Sequence, residues 1–273
     1  MTPYPNLISE SLLINETVAL LRSFGGQASA VSVVDFVMKI RRPDPYLARL
    51  LVEDLISRDP RLSINGDTVE LAECSFESRD LGEAGFVVFD LETTGAKTPQ
   101  CRITEIGAYR VKNGEVTEEF QTLVNPLTPI PRFITELTGI TDAMVADAPV
   151  FADIAHDFLS FIGDSILVAH NSGFDMRFLN HEIGRVFGGY KIANPCLCTV
   201  LLSRKLLPDI LNHKLKTVAA HYSIDLVNHH RASADAYATA HIFVNLLTKL
   251  RDDGVNDLAS VRKMGSRKSR YVR

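Results

Sequence analysis

Apolar residues in the first part of the chain recur at helical spacing. The pattern predicts helices over Glu16–Phe24, Ser32–Ile40 and Pro45–Ser57. Two short stretches that alternate polar and apolar residues follow, on either side of an Asn-Gly-Asp turn at 65–67 that is typical of a β-hairpin. Three short helices followed by a hairpin indicate a small winged-helix-like domain, which we predict over residues 1–76.

A polar segment with two glycines, residues 77–85, interrupts this pattern and predicts a linker. Phe86–Leu91 is then a nearly continuous apolar run, as expected for a strand buried on both faces. Further strands are predicted at 103–111, 116–124 and 165–169, and helices at 151–161, 175–187, 199–207 and 233–250. We therefore expect a second domain over residues 86–251, an α/β domain with a mixed sheet flanked by helices.

The composition is that of an ordinary globular protein, with 46% hydrophobic and 23% charged residues among 273. No apolar run approaches the roughly 20 residues needed to cross a bilayer, and the first residues do not resemble a secretion signal. The cysteines are too few and too scattered for a disulfide scaffold. We expect a cytoplasmic protein without membrane association, whose thiols are reduced: Cys74, Cys101, Cys196 and Cys198. A structural zinc site is the alternative interpretation, although Cys196 and Cys198 have no second Cys or His pair at zinc-finger spacing.

The net charge of -4 gives no global sign of nucleic-acid binding, but charge is unevenly distributed. Residues 1–80 carry a net charge of -4, residues 81–261 carry -6, and residues 262–273 carry +6. An acidic stretch can still bind nucleic acid where its carboxylates hold divalent cations. We predict that residues 252–273 form a basic, flexible tail, which either follows a phosphate backbone or only aids solubility.

Two carboxylates, Asp90 and Glu92, stand at the end of the first strand of the second domain. Residues i and i+2 of a strand project from the same face, so these carboxylates converge on one point. Like charges so close together favour a hard divalent cation with oxygen ligands between them. A solvated strand end is the alternative interpretation.

Two further segments place acidic residues at helix starts. Asp175 lies in the first turn of a predicted helix, where it could bind a metal or only complement the helix dipole. Asp235 lies in the first turn of the last long helix, and His230 precedes it on a loop. This division suits a fixed ligand and a mobile general base. His229 competes for the role of base, and a surface histidine pair without a role is the other alternative.

In this order the three segments closely resemble the motifs of the DEDD exonuclease superfamily, specifically its DEDDh (DnaQ-like) branch, which includes the proofreading epsilon subunit of bacterial DNA polymerase III. Asp90 and Glu92 match Asp-x-Glu-Thr-Thr-Gly, Asp175 matches His-Asn-x-x-Phe-Asp, and the last pair, His230 and Asp235, matches His-x-x-x-x-Asp. The resemblance covers about residues 86–250. It implies an RNase H-like exonuclease fold, a central mixed five-stranded sheet flanked by helices, for the second domain.

The resemblance also implies a 3′ to 5′ exonuclease that releases nucleoside 5′-monophosphates from DNA in proofreading or repair. His230 would be the general base, and two Mg²⁺ or Mn²⁺ ions would be held by Asp90, Glu92, Asp175 and Asp235. Single-stranded or frayed 3′ DNA ends would be the substrate, with a DNA polymerase or another replication or repair protein as partner. The implied contacts to the terminal nucleotide are Thr93, Thr94, Leu137, Thr138, Asn171 and Phe174.

Two alternatives stay open at this point. A 3′ exoribonuclease would use the same motifs, because they position metals and phosphate without sensing the sugar. The chain could instead be a scaffolding module recruited through its N-terminal domain. The third helix of that domain could enter a DNA groove or dock on a protein, and the net charge of -4 weighs against phosphate binding.

Overall fold

The computed structural model describes residues 4–57, 59–72 and 79–266. The chain forms two compact units. The first comprises Met1–Cys74 together with Ile183–Ala193, and the second comprises Ser75–Glu182 and Asn194–Arg273. The sequence pattern places residues 183–193 in the second domain, whereas the structure groups them with the first.

The elements are numbered along the chain. The strands are β1 (Leu7–Ser9), β2 (Gln27–Ser29), β3 (Leu62–Asn65), β4 (Thr68–Leu71), β5 (Phe86–Thr93), β6 (Ile103–Lys112), β7 (Glu115–Leu123), β8 (Ile166–Ala169), β9 (Tyr190–Ile192) and β10 (Cys196–Cys198). The helices are α1 (Leu12–Ser23), α2 (Ala30–Phe36), α3 (Pro45–Ile56), α4 (Arg132–Thr138), α5 (Asp142–Val145), α6 (Phe151–Ile162), α7 (Gly173–Phe187), α8 (Thr199–Leu206), α9 (Leu215–His221), α10 (Ala232–Asp252) and α11 (Leu258–Ser266). Among the helices of the described residues, none combines the length and apolar character needed to span a membrane.

The first unit builds a small core from α1, α2, α3 and a three-stranded antiparallel sheet of order β2-β4-β3. Helix α2 starts after Ser29, whose side chain accepts the Ser32 N–H, and α3 starts after Asp44, whose carboxylate accepts two backbone N–H groups. A two-stranded antiparallel sheet of β1 and β9 belongs to the same unit. The order helix, strand, helix, helix, strand, strand is compatible with the winged-helix interpretation, which stays a prediction.

The second unit contains a five-stranded mixed sheet of order β10-β8-β5-β6-β7. Strand β5 runs parallel to β8 and antiparallel to β6, so the expected mixed five-stranded sheet flanked by helices is confirmed. Helix α10 packs against β5 and β6, and the rings of Phe86 and Phe243 meet 4.8 Å apart in the core beneath it. Because β5 and β8 are parallel, the turn after β8 emerges at the same edge as the end of β5.

Gly107 on β6 allows α10 to approach the sheet closely. A Cβ atom built there would lie 2.3 Å from the Ser233 nitrogen and 2.4 Å from its Cα, distances that no side chain tolerates. Gly107 is also the register partner of Asp90 on β5. The missing side chain therefore lets the first turn of α10 reach the sheet beside Asp90.

Two of the predicted boundaries differ from the structure. The predicted linker at 77–85 is packed rather than free over its described part, because Leu81 and Ala84 are buried and the Leu81 N–H donates to the Asn256 carbonyl. The predicted flexible tail at 252–273 contains α11, whose Leu258 and Val261 are buried in the same hydrophobic core as Leu81 and Ala84. These apolar residues are too few to give a period along the sequence. Residues 73–78 and 267–273 lie outside the described residues.

Candidate active site

Three carboxylates meet at the end of β5. Asp90 and Glu92 extend from one face of the strand, and Asp235 lies in the first turn of α10. Oxygens of the three side chains lie within 4.8 Å of one another. The approach of α10 that Gly107 permits is what brings Asp235 to this group.

Asp175 lies beside this group, in the first turn of α7, and is 2% exposed. Its negative charge raises the pKa of Asp90. Backbone hydrogen bonds from Leu91 and from its own residue partly offset the rise in the pKa of Asp175 that burial causes. The structure therefore brings all four predicted acidic residues to one corner of the sheet, with three of them in the tightest cluster.

Burial and mutual repulsion oppose the ionisation of three of these carboxyl groups, those of Asp90, Glu92 and Asp175. Burial raises the pKa of Glu92 to about 8, and the charges of Asp235 and Glu105 contribute to this rise. Burial also raises the pKa of Asp175 to about 8. The pKa of Asp90 is raised well above its ordinary value, first by burial and then by the charge of Asp175. Such a set of crowded oxygen donors fits hard divalent ions such as Mg²⁺ or Mn²⁺, which would neutralise the repulsion.

Glu105 is a fifth carboxylate at this corner, and it is not among the residues predicted from the sequence. It lies opposite Glu92 in the β5–β6 register and is fully buried. Its oxygens accept the Arg231 guanidinium at 2.7 and 3.0 Å and the Ala232 N–H at 2.9 Å. The pair fixes the start of α10, and with it Asp235. The sequence signal for Glu105 is a single acidic residue in the buried, largely apolar first half of β6, because a buried carboxylate needs a cation or a hydrogen-bond donor as partner.

The two neighbouring histidines contact Asp235 in different ways. The His229 Nδ1 lies 2.8 and 3.1 Å from the two Asp235 oxygens, whereas His230 donates its backbone N–H to Asp235 at 3.1 Å. Their rings stack at 3.8 Å. Burial lowers the pKa of His230, as does His229, and a φ of 68° places its backbone in the left-handed region. Donor atoms of the two histidines and Asp235 also lie within 4.8 Å of one another, which forms a second candidate group.

The threonines after β5 are held by local hydrogen bonds. Thr93 donates its hydroxyl to the Gly95 carbonyl at 2.7 Å, and Thr94 accepts the Arg102 N–H at 3.0 Å. Both are buried and directly follow Glu92 along the chain. The structure thus gives them a role in shaping the turn next to the carboxylates, and their contact with a nucleotide stays a prediction.

The other four predicted contacts fall into two pairs. Asn171, with φ 71°, lies in the turn before α7, and Phe174, whose ring packs on Phe178 at 4.9 Å, lies beside Asp175 in the first turn of that helix. Leu137, which is 51% exposed, and Thr138 lie on α4, part of a separate small apolar cluster. The Thr138 hydroxyl donates to the Ile134 carbonyl and accepts the Ile140 N–H, so much of its bonding capacity serves the helix end. The first pair shares a segment with the acidic residues, and the second does not.

Residues 87–243 match the RNase_T exonuclease family model. The chain belongs to this exonuclease family. It is 43% identical over 242 residues to the PolC-type DNA polymerase III of Bacillus subtilis (strain 168), an alignment that covers 89% of this chain and 17% of that protein. The protein of the same name from Caldanaerobacter subterraneus subsp. tengcongensis is 42% identical over 188 residues, which cover 69% of this chain and 13% of the relative. The chain therefore spans less than a fifth of these curated relatives.

Solved structures agree with this membership. Exonuclease X in complex with 5′ overhanging duplex DNA is 27% identical with a TM-score of 0.52, and the match covers 66% of this chain and 99% of that one. E. coli exonuclease I in complex with a dT13 oligonucleotide, at 18% identity and a TM-score of 0.55, supports the fold alone and covers 63% of this chain and 43% of its own. The predicted DEDDh (DnaQ-like) identity and RNase H-like fold are confirmed.

The raised pKa values predict that a divalent ion stabilises the protein more at high pH than at low pH. Folded-state pKa values near 8 exceed those of an unfolded chain, so stability from these protonated groups is present in acid and lost as the pH rises toward 8. A bound cation removes this loss of stability, because it neutralises the ionised carboxylates. In acid the cation must displace the bound protons, which costs about 1.4 kcal/mol for each proton and each pH unit below the pKa. We expect Mn²⁺ to raise the melting temperature more at about pH 8.5 than at about pH 6.

The matched variants for this measurement are two Asp to Asn changes. Asp90→Asn should remove the pH dependence of the Mn²⁺ effect, and Asp164→Asn, at a side chain that is 84% exposed, should keep it. An equal rise in melting temperature at both pH values in the unsubstituted protein would contradict the interpretation.

Proposed function

We propose that this exonuclease is metal-dependent and acts 3′ to 5′ on DNA, hydrolysing the terminal phosphodiester and releasing nucleoside 5′-monophosphates. The convergence of Asp90, Glu92 and Asp235, with Asp175 beside them, is the observation that carries the proposal. The PolC-type relatives are DNA polymerases III by name, and exonuclease X was solved with DNA, which favours DNA over RNA as the polymer.

The four acidic residues would hold two Mg²⁺ or Mn²⁺ ions. Four carboxylates leave an excess of negative charge at one point, and a single phosphate would be repelled from it without cations. When bound, the ions would supply positive charge that stabilises the attacking and leaving oxygens of the phosphate. Glu105 and Arg231 would keep Asp235 in place, because they fix the helix start on which it lies.

His230 would accept the proton of the attacking water on an imidazole nitrogen. A lowered pKa keeps the ring neutral near pH 7, so that a nitrogen lone pair is free to take the proton. His229 holds Asp235 through its ring, which suits a positioning residue rather than the base. The loop before α10, in which Asn228 and His230 both adopt positive φ, would carry the base to the substrate.

Single-stranded or frayed 3′ ends are the substrates that we propose. The acidic residues are half-buried or buried, so a paired end must fray before its last phosphodiester reaches them. The PolC-type relatives support proofreading beside a polymerase III as the cellular role. We propose that the first unit is a winged-helix-like module that binds a partner protein in that setting.

Degradation of labelled oligonucleotides tests the proposal. We expect Mg²⁺- or Mn²⁺-dependent release of mononucleotides from the 3′ end of single-stranded DNA, inhibition by EDTA, and faster trimming of a duplex with a 3′ mismatch than of a matched duplex. Asp90→Ala should abolish the reaction and Asp164→Ala should not. Persistent activity of Asp90→Ala would contradict the proposal, and preference for RNA over DNA would support the exoribonuclease alternative instead.

Separate histidine variants test the assignment of the base. His230→Ala removes the proton acceptor and should lower kcat by about 10²- to 10⁴-fold while Mn²⁺ affinity is kept. His229→Ala removes a ring that contacts the Asp235 carboxylate and stacks on the His230 ring, so the decrease in kcat should be smaller. A larger decrease in kcat in His229→Ala than in His230→Ala would reverse the two roles.

A further inference from the structure

A cavity of about 490 Å³ lies at the turn between β8 and α7, where the chain leads into Asp175. His170 and Asn171 form the wall on the side of that turn. Arg204 on α8 and the segment from Asn212 to Lys214 form the opposite wall. We call it the Arg204 cavity. It shares Asn171 with the predicted nucleotide contacts.

The walls of the Arg204 cavity are positively charged within an acidic part of the chain. Between Thr199 and Lys216 there are four Lys or Arg residues and one Asp, whereas residues 81–261 together carry a net charge of -6. The residues that line the cavity include no carboxylate. Among the described residues, neither Arg204 nor Lys214 has an ion-pair partner. Cations that share a concave surface without a counter-charge attract anions.

Hydrogen bonds hold the cavity walls in place. The His170 Nδ1 lies 2.8 Å from the Thr199 hydroxyl, and the same ring is hydrogen-bonded to the backbone of His213. The His213 Nδ1 in turn lies 3.1 Å from the Ser203 hydroxyl on α8. The turn after β8 is thus tied to the segment that carries Lys214, so little ordering is needed when a ligand binds.

The turn that carries Lys214 is also ordered from within. Asn212 accepts the Lys214 N–H at 3.1 Å and the Thr217 hydroxyl at 2.7 Å. Burial lowers the pKa of His170 to about 4, so this ring is neutral near pH 7. Burial also lowers the pKa of His213, and the charge of Arg204 lowers it further. The positive charge of the cavity therefore comes from Arg204 and Lys214.

We propose that the Arg204 cavity binds a backbone phosphate of the DNA strand whose 3′ end occupies the carboxylate cluster. The inference rests on the proposed function for the identity of the polymer. Because the turn at Asn171 both lines the cavity and leads into the helix that carries Asp175, a strand that leaves the cluster along this turn would reach Arg204 and Lys214, which bind its phosphate. Phosphate binding of this kind positions a strand without reading its bases.

Binding of a labelled oligonucleotide to the full chain tests the proposal directly. Fluorescence anisotropy with single-stranded DNA of about 12 nucleotides gives Kd for the intact strand when Ca²⁺ replaces Mg²⁺ to prevent hydrolysis. The double variant with Arg204→Ala and Lys214→Ala should raise Kd by about tenfold or more. For this variant, the slope of log Kd against log salt concentration should be smaller by about 0.7 for each phosphate that the protein no longer neutralises.

A matched pair of neighbouring lysines provides the control. Lys205 and Lys216 stand next to Arg204 and the Lys214 turn in sequence but do not line the cavity. A double variant with Lys205→Ala and Lys216→Ala removes the same charge, so Kd should stay within about twofold of the unsubstituted chain if position matters. Equal decreases in affinity in the two double variants would overturn the proposal, because net charge alone would then explain the effect.

A substrate with a single phosphate separates strand binding from catalysis. The p-nitrophenyl ester of thymidine 5′-monophosphate occupies the cluster but does not extend to the cavity, so kcat/KM for this ester should be unchanged in the Arg204 and Lys214 double variant. On the oligonucleotide, KM should rise while kcat is kept. An equal decrease in kcat/KM on the ester would overturn the proposal. Absence of DNA hydrolysis by the unsubstituted chain would count against the proposed function, while the anisotropy result would still decide the cavity.

Discussion

Repulsion among crowded carboxylates is the constraint on which the site of the second unit depends. Asp90, Glu92, Asp175 and Asp235 share one corner of the sheet with Glu105, which is fully buried opposite Glu92. Burying charges of one sign is costly, so the fold must supply either protons or positive charge. Arg231 supplies it for Glu105. For Asp90, Glu92 and Asp175, protons fill that role until divalent ions are bound, which is why the pKa of Asp90 is raised and the pKa values of Glu92 and Asp175 reach about 8.

The surrounding architecture keeps the carboxylates close despite this repulsion. Hydrophobic packing of α10 on β5 and β6, with Phe86 against Phe243, holds the helix to the sheet. Gly107 removes the side chain that would keep the helix start away, and Glu105 ties that start to β6 through the Ala232 N–H. The electrostatic cost at the corner is thus offset by the packing of α10 on the sheet and by the hydrogen bonds that hold the start of that helix.

The strand that ends at the carboxylates could be predicted from the sequence, because its signal lies in neighbouring residues. The apolar run before Asp90 and the i, i+2 spacing to Glu92 report a buried strand and its exposed end directly. Strand β10 was not predicted, because a strand of three residues, Cys196–Cys198, is too short to show an alternating pattern of apolar and polar residues. Helix α11 and the segment around Leu81 are stabilised by long-range burial, which local patterns do not record.

The contacts of the two histidines with Asp235 could not be predicted from the sequence, for a different reason. Spacing alone selected His230, but which ring touches Asp235 depends on the positive φ of Asn228 and His230 in the preceding loop. The partner of Glu105, 126 positions away, could likewise be inferred only as a need for some cation. Sequence thus indicates which charges are buried, and tertiary structure decides what compensates them.

Anomalous diffraction from crystals of the full chain grown with Mn²⁺ tests the central claim most directly. If cations relieve the repulsion among the carboxylates, Mn²⁺ peaks should lie between Asp90, Glu92 and Asp235, at roughly 2.1 Å from their oxygens. A peak confined to His229, His230 and Asp235, with none between Asp90 and Glu92, would contradict the account.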